Sequence, residues 1–112
     1  MQPVRRFEGK VALVTGAASG IGRATAVRLG SEGARIYGAD IDEAGLEETA
    51  KLVAQAGGTM QAGRYDLTRR ADCFGAVEGA MAAFERLDVL GNIAGASQFY
   101  HCLLYTSPSP RD

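Results

Sequence analysis

Short apolar runs alternate with longer amphipathic stretches along the chain. The run VALVT at residues 11–15 is β-branched and apolar, which predicts a buried strand. Residues 21–31 carry apolar side chains at helical spacing with arginines between them, which predicts a helix. The segment ARIYGA at residues 34–39 predicts a second strand that ends at Asp40.

The same alternation continues further along the chain. Asp42 is well placed to cap a second helix, which the pair Gly57-Gly58 should stop. Residues 60–65 show a weak strand pattern, and residues 88–93 (DVLGNI) predict a fourth strand. Between them, four apolar residues spaced by three, four and three predict one face of a third helix: Phe74, Val77, Met81 and Phe84.

The predicted order of elements is β-α-β-α-β-α-β. Helices of this length between short buried strands imply right-handed crossovers and a parallel sheet, so the fold class is α/β. Four strands in the order 3-2-1-4 would form the start of a doubly wound, Rossmann-type nucleotide-binding sheet. We expect this sheet to be incomplete.

Composition narrows the function classes. The 112 residues include 12 Lys+Arg and 13 Asp+Glu, for a net charge of −1, so we predict neither a nucleic-acid nor a membrane-surface partner. No apolar run approaches the ~18 residues of a membrane span. Two cysteines, Cys73 and Cys102, make no disulfide framework and predict a cytoplasmic protein. Fifteen residues are glycine, about twice the usual share of ~7%.

Three of these glycines lie in the turn between the first strand and the first helix, TGAASGIG at residues 15–22. Gly16 lets the chain leave the strand sharply, Gly20 lets the backbone approach a pyrophosphate, and Gly22 lets the helix pack closely on the sheet. The amide groups and positive dipole end of the helix then face the phosphates. The alternative is a tight turn with no ligand. No Lys-Ser/Thr pair follows the last glycine, which excludes a Walker P-loop.

Asp40 ends the second predicted strand, where a carboxylate can accept hydrogen bonds from the adenosine ribose hydroxyls. The same charge would repel a 2′-phosphate. No Arg or Lys is its neighbour in the sequence, and Ser19 in the glycine turn is not basic. These features favour NAD over NADP. The alternative role for Asp40 is to cap the next helix, although Asp42 is better placed for that.

The residues then resemble a known family. The turn is similar to the TGxxxGxG pattern of the classical short-chain dehydrogenases/reductases, and the resemblance covers residues 6–96. Asp66-Leu67 resembles the family's pair that contacts adenine. Residues 92–95 (NIAG) resemble its NNAG motif, with Ile93 in place of Asn. The predicted cofactor-binding residues are Gly16, Ser19, Gly20, Ile21, Gly22, Asp40, Asp66, Leu67, Asn92, Ala94 and Gly95.

The resemblance also implies what catalysis requires. In the family a tyrosine acts as general acid/base, a lysine four residues later lowers its pKa, and an upstream serine orients the substrate oxygen. The lysines here are Lys10 and Lys51, and neither follows a tyrosine at that spacing. We therefore predict no catalytic residue in this chain. We expect it to be the N-terminal, cofactor-binding part of a longer protein and inactive alone.

The segment 102–112 (CLLYTSPSPRD) differs in composition from the rest. Its alternatives are a Ser/Pro-rich disordered tail or a segment phosphorylated at Ser-Pro. We favour a third interpretation, since its codons can spell a transposase adapter used for sequencing libraries. The predicted division is residues 1–101, part of an NAD-binding Rossmann domain, and a non-native tail at 102–112.

The leading hypothesis is an oxidoreductase that transfers hydride between NAD and a small alcohol or carbonyl substrate. We expect no metal, and expect the longer protein to be a homo-oligomer. One alternative is a catalytically inactive dinucleotide-binding module, and a downstream Tyr-x-x-x-Lys motif in the longer protein would favour the enzyme over it. Another is a methyltransferase that binds S-adenosylmethionine, which a titration comparing the two cofactors would distinguish.

Overall fold

The strands form one parallel sheet in the order β3-β2-β1-β4. The computed structural model describes residues 6–91. Its elements follow one another along the chain as β1 (Val11–Thr15), α1 (Gly20–Ser31), β2 (Arg35–Asp40), α2 (Glu43–Gln55), β3 (Thr59–Arg64), α3 (Arg70–Phe84) and β4 (Val89–Gly91). The predicted α/β class, element order and strand order are confirmed.

Local signals explain where the elements begin and end. The Asp42 carboxylate accepts a hydrogen bond of 3.0 Å from the amide of Gly45, so Asp42 caps α2 as predicted. Gly57 follows α2 with φ +90°, a left-handed conformation that ends the helix. Residues 92 and 93 of the fourth predicted strand lie outside the described residues.

Strand β1 lies between two separate apolar layers, one on each face of the sheet, and is buried along its whole length. Val11 and Leu13 pack on the side of α3, whereas Ala12 and Val14 pack on the side of α1 and α2. This division follows from the alternation of side chains along a strand. Because helices cover both faces, the strand consists almost entirely of apolar residues.

The predicted face of α3 is confirmed except at Met81. Phe84 is buried, and Phe74 and Val77 are partly buried against the core, but Met81 is 44% exposed. The residues that α3 buries most deeply against the sheet are mainly small: Cys73, Ala76, Ala80 and Phe84. Cys73 has no exposed surface and its thiol lies 3.5 Å from the carbonyl oxygen of Leu67, so this cysteine is part of the core.

Two tyrosines explain why α3 carries glycine at position 79. Tyr37 on β2 and Tyr65 after β3 join through their hydroxyl oxygens at 2.8 Å, and their rings lie 6.4 Å apart. A side chain at Gly79 would place its Cβ 2.5 Å from both hydroxyl oxygens. Burial, and then the hydrogen bond to Tyr65, raises the pKa of Tyr37 far above its ordinary value, so this phenol stays neutral.

We therefore predict that Gly79→Ala destabilises the protein although alanine favours helices. Displacing the two hydroxyls should lower the free energy of unfolding by ~1–3 kcal/mol in urea denaturation. Gly75→Ala, one helical turn earlier, is the matched control because its Cβ would lie 3.2 Å from a ring carbon of Tyr65. It should be close to neutral, or gain up to ~1 kcal/mol of helix propensity. Equal unfolding free energies for the two variants would contradict this prediction.

Candidate cofactor-binding site

The carboxyl ends of the parallel strands bring the predicted residues to one edge of the sheet. Gly16 follows β1, Asp40 ends β2, and Asp66 comes shortly after β3. A cleft of about 180 Å³ lies between these strand ends. Its lining residues are Gly16, Asp40, Ile41, Tyr65, Asp66, Leu67 and Thr68. Four of the predicted site residues therefore line a single cleft, at the edge where ligands bind in open α/β sheets.

The glycine turn connects β1 to α1 with little space to spare. A Cβ at Gly22 would overlap the carbonyl group of Gly16, so α1 packs against the start of the turn only because residue 22 is glycine. Gly20 has φ +57°, and within residues 6–91 no heavy atom lies within 4 Å of the position that a Cβ would take there. The sharp turn predicted at Gly16, whose φ is +66°, and the close packing predicted at Gly22 agree with this geometry, whereas the predicted approach of a pyrophosphate to Gly20 stays a prediction.

The exposed part of the turn consists of Ser19, Gly20 and Ile21, and Ile21 is 72% exposed. Ser19 is the N-cap of α1, but its side chain makes no capping hydrogen bond. The first turn of α1 also contains no acidic residue to offset the positive end of the helix dipole. This end of α1 therefore has no negative side chain of its own to offset the helix dipole, a feature that favours an anion there.

The Asp40 carboxylate connects β2 to the glycine turn. One oxygen, Oδ2, accepts a hydrogen bond of 3.1 Å from the amide of Ala18, and the other, Oδ1, accepts one of 3.1 Å from the amide of Asp42. A carboxylate oxygen has two lone pairs, so each can still accept a further hydroxyl. Because Asp42 is the N-cap of α2, capping is not the role of Asp40.

The sheet gives Asp40 a basic neighbour that the sequence does not show. In the β2–β3 ladder Asp40 pairs with Arg64, whose side chain is exposed. Asp40 therefore has no basic neighbour along the chain, but it has one across the sheet. Residues adjacent across a sheet can be far apart in sequence, and here the β3 register decides the neighbour.

Asp66 is held by the residues that follow it. Its Oδ1 accepts hydrogen bonds from the Thr68 amide at 3.1 Å and from the Thr68 hydroxyl at 2.6 Å. Its own amide donates to Oδ2 of Asp72 at 2.6 Å. The bonds from Thr68, assisted by the charges of Arg69 and Arg64, hold the pKa of the Asp66 carboxyl below its ordinary value against the opposing effect of burial. Asp66 is thus a fixed, ionised acceptor at the cleft.

Three residues of the cleft were not predicted: Ile41, Tyr65 and Thr68. Thr68 could have been found from the Asp-x-Thr spacing, which is typical of a turn closed by an aspartate side chain. Tyr65 was assigned to the end of β3 and could have been found from the convergence of strand ends. Ile41 is 51% exposed and has no local signal beyond its place after Asp40.

The predicted residues Asn92, Ala94 and Gly95 lie outside the described residues. The last described strand, β4, leads toward the same edge of the sheet. The hydroxyl of Thr15, which ends β1, donates to the carbonyl oxygen of Gly91 at 3.3 Å.

Other features of the described residues do not add to this site. A groove of about 330 Å³ lies between α2 and β3, away from the glycine turn. Within residues 6–91, no group of three or more His, Cys, Asp or Glu side chains is placed to hold a metal ion. None of the three described helices is both long and apolar enough to cross a membrane.

The strand order and the glycine turn at the cleft define a Rossmann-type, nucleotide-binding α/β protein. The family model for short chain dehydrogenase matches residues 10–107, and the chain belongs to this family. The match runs past residue 101 into the segment predicted to be a non-native tail.

Individual relatives agree with this assignment. D-threitol dehydrogenase of Mycolicibacterium smegmatis is 44% identical over 96 residues, covering 83% of this chain and 36% of the relative. NAD+-bound xylitol dehydrogenase superimposes with a TM-score of 0.76 at 38% identity, covering 80% of this chain and 35% of that protein. A metagenomic short-chain oxidoreductase in complex with NADP superimposes with a TM-score of 0.75 at 39% identity, covering 80% and 40%. The chain thus spans about a third of the length of the curated relatives it matches.

We predict that Thr68→Val raises the pKa of Asp66 toward its ordinary value, because valine keeps the shape but removes the hydroxyl donor. A ¹³C NMR titration of the side-chain carboxyls measures this. A lowered pKa in the folded state stabilises the protein above the unfolded pKa, and this stabilisation is lost as the pH falls through the folded value. The variant should therefore lose less stability than the parent on acidification.

Asp88 supplies the matched control for this titration. Its pKa is also lowered, chiefly by the hydrogen bond from Arg86. Arg86→Met should raise the pKa of Asp88 and leave that of Asp66 unchanged, whereas Thr68→Val should do the reverse. An unchanged pKa of Asp66 in Thr68→Val would show that the Thr68 hydroxyl does not set it, and a shift of both carboxyls in one variant would indicate a general change of the fold.

Proposed function

We propose that this chain binds a nicotinamide dinucleotide at the cleft and forms the cofactor-binding part of an oxidoreductase. The proposed substrate is a small alcohol or its carbonyl partner. The observation that carries the proposal is the hydrogen bond between the Asp40 carboxylate and the Ala18 amide. This bond holds the Asp40 carboxylate directly beside the glycine turn, which supports a ribose-binding role for Asp40 and a phosphate-binding role for the turn.

The residues present fit the diphosphate of such a cofactor. Among the described residues, no heavy atom lies within 4 Å of the position a Cβ would take at Gly20, so the backbone is open to a bulky group there. The amides of the first helical turn have no partner within the helix, and no acidic side chain in that turn offsets the dipole, so the start of α1 favours an anion. Ser19, Gly20, Ile21 and Gly22 would hold the diphosphate.

The residues around the 180 Å³ cleft fit the adenosine end. Asp40 would accept hydrogen bonds from the ribose hydroxyls, and the ionised Asp66 would accept one from the adenine amino group. Leu67 is 8% exposed and provides an apolar contact for the ring. When bound, the cofactor supplies the hydride acceptor or donor, and the residues of this chain bind and orient it.

A preference for NAD over NADP follows from the charge of Asp40. The two backbone amides that Asp40 accepts from restrain its carboxylate, so it would oppose a 2′-phosphate at short range. The exposed Arg64 is the opposing influence, because it is the register partner of Asp40. The similarity to one NAD-bound and one NADP-bound protein makes both cofactors relevant to the test.

The proposed substrate class has support from the relatives. D-threitol dehydrogenase and xylitol dehydrogenase are both named for alcohols that they act on. Hydride transfer between an alcohol and a nicotinamide ring is the chemistry that those names describe. We propose the same reaction type for the protein to which this cofactor-binding part belongs.

Asp40→Asn should weaken NAD binding about tenfold, since a hydrogen bond to a charged group contributes ~1.5 kcal/mol or more. It should also narrow the difference in affinity between NAD and NADP, because it removes the repulsion between the Asp40 charge and the 2′-phosphate. Isothermal titration calorimetry with both cofactors measures the two effects. Asp42→Asn is the matched control because asparagine still caps a helix, and it should leave both affinities unchanged.

A second variant separates the repulsion of a 2′-phosphate by Asp40 from its attraction by Arg64. Arg64→Met should weaken any NADP binding and leave NAD binding unchanged, because only the 2′-phosphate would use the added positive charge. Unchanged affinity for NAD in Asp40→Asn would remove Asp40 from the ribose site. Failure of the parent chain to bind either cofactor would overturn the proposed function.

A further inference from the structure

Two side chains that do not line the cleft, Arg23 of α1 and Thr49 of α2, form hydrogen bonds to the backbone of the glycine turn. The carbonyl oxygen of Ala17 accepts a hydrogen bond of 2.7 Å from the Thr49 hydroxyl. The carbonyl oxygen of Ala18 accepts one of 2.6 Å from Nη2 of Arg23. Both acceptors are buried residues of the turn itself.

Arg23 and Thr49 also bond to each other. Nε of Arg23 donates to the Thr49 hydroxyl oxygen at 2.9 Å, and Nη2 also donates to the carbonyl oxygen of Gly45 at 3.1 Å. Thr49 has no exposed surface. Its hydroxyl has one hydrogen and can donate to one of two nearby carbonyl oxygens. Because the contact to Ala17 (2.7 Å) is shorter than the contact to Gly45 (3.0 Å), we assign the hydrogen bond to Ala17. We call these two side chains the Arg23–Thr49 pair.

Both ends of the peptide between Ala17 and Ala18 are therefore fixed. Its carbonyl is bonded to Thr49, and its amide is bonded to the Asp40 carboxylate. The planar peptide cannot rotate without breaking one of these bonds. The conformation of the turn before Ser19 is thus set by three side chains from α1, α2 and β2.

The next peptide carries the amide that matters for a ligand. In a trans peptide the carbonyl and the amide point in opposite directions. Because Arg23 holds the carbonyl of Ala18, the amide of Ser19 is directed away from Arg23. Ser19 is exposed, so this amide can donate to a ligand over the turn.

We propose that the Arg23–Thr49 pair are positioning residues that orient the Ser19 amide toward the cofactor diphosphate without contacting the cofactor. The proposal rests on the proposed function. An arginine is required because its planar fork reaches three acceptors at once: the Thr49 hydroxyl and the carbonyls of Ala18 and Gly45. A lysine keeps the charge but cannot reproduce this arrangement.

The alternative is that the pair only joins α1 to α2. The test compares ADP-ribose, which contains the diphosphate, with adenosine, which does not. Both are titrated by NMR into the 112-residue chain and into Arg23→Lys and Thr49→Val. We expect the dissociation constant for ADP-ribose to rise about tenfold and that for adenosine to change less than about twofold.

Two further variants control this experiment. Thr49→Ser restores the hydroxyl and should restore ADP-ribose binding. Arg28→Lys changes an arginine on the same helix whose partner is Glu32, and should leave both ligands unaffected. If Arg23→Lys does not fold, Thr49→Val and Thr49→Ser still form a matched comparison, and spectral dispersion shows which variants are folded.

The outcomes separate the two proposals. Equal weakening of ADP-ribose and adenosine, or no weakening of either, overturns the positioning role and leaves cofactor binding intact. Binding of adenosine but not ADP-ribose by the parent chain overturns diphosphate binding at the turn, and with it both proposals. Weakening confined to ADP-ribose, rescued by Thr49→Ser, supports the role of the pair.

Discussion

Helix α1 can begin directly over the end of β1 only because Gly22 has no side chain. A single Cβ there would overlap the carbonyl group of Gly16, and α1 would have to move away from the sheet. The rest of the site depends on this contact. It brings the amides of α1 to the strand edge where Asp40 lies, and it holds Arg23 one residue further on within reach of the Ala18 carbonyl.

Polar contacts then define a conformation that backbone sterics alone leave open. Thr49 and Asp40 bond to opposite ends of one peptide in the turn, and each comes from a different element. The bond from Thr49 is buried and the bond to Asp40 is partly buried, so water competes weakly for both. A site built in this way has its donors arranged before a ligand arrives, which reduces the entropy lost on binding.

Local patterns in the sequence predicted most of the fold. Asp42 acts within its own helix turn and Gly16 within its own turn, so a reader of the sequence sees both. The glycines of α3 have no local signal for their packing role, because Tyr37 and Tyr65, which they face, are distant from them in sequence. The pairing of Asp40 with Arg64 and the bonds between Arg23 and Thr49 arise from register and helix packing, which no local pattern encodes.

The two apolar layers together determine the register of β1 against its neighbouring strands. Strand β1 supplies Val11 and Leu13 to one layer and Ala12 and Val14 to the other. A slip of one residue would exchange these sets, placing the large side chains where space exists for alanine and leaving voids opposite. Both layers would be damaged by the same error. Packing on both faces therefore fixes the register of the central strand β1. The register of β3, an edge strand that is half exposed, is fixed by fewer buried contacts.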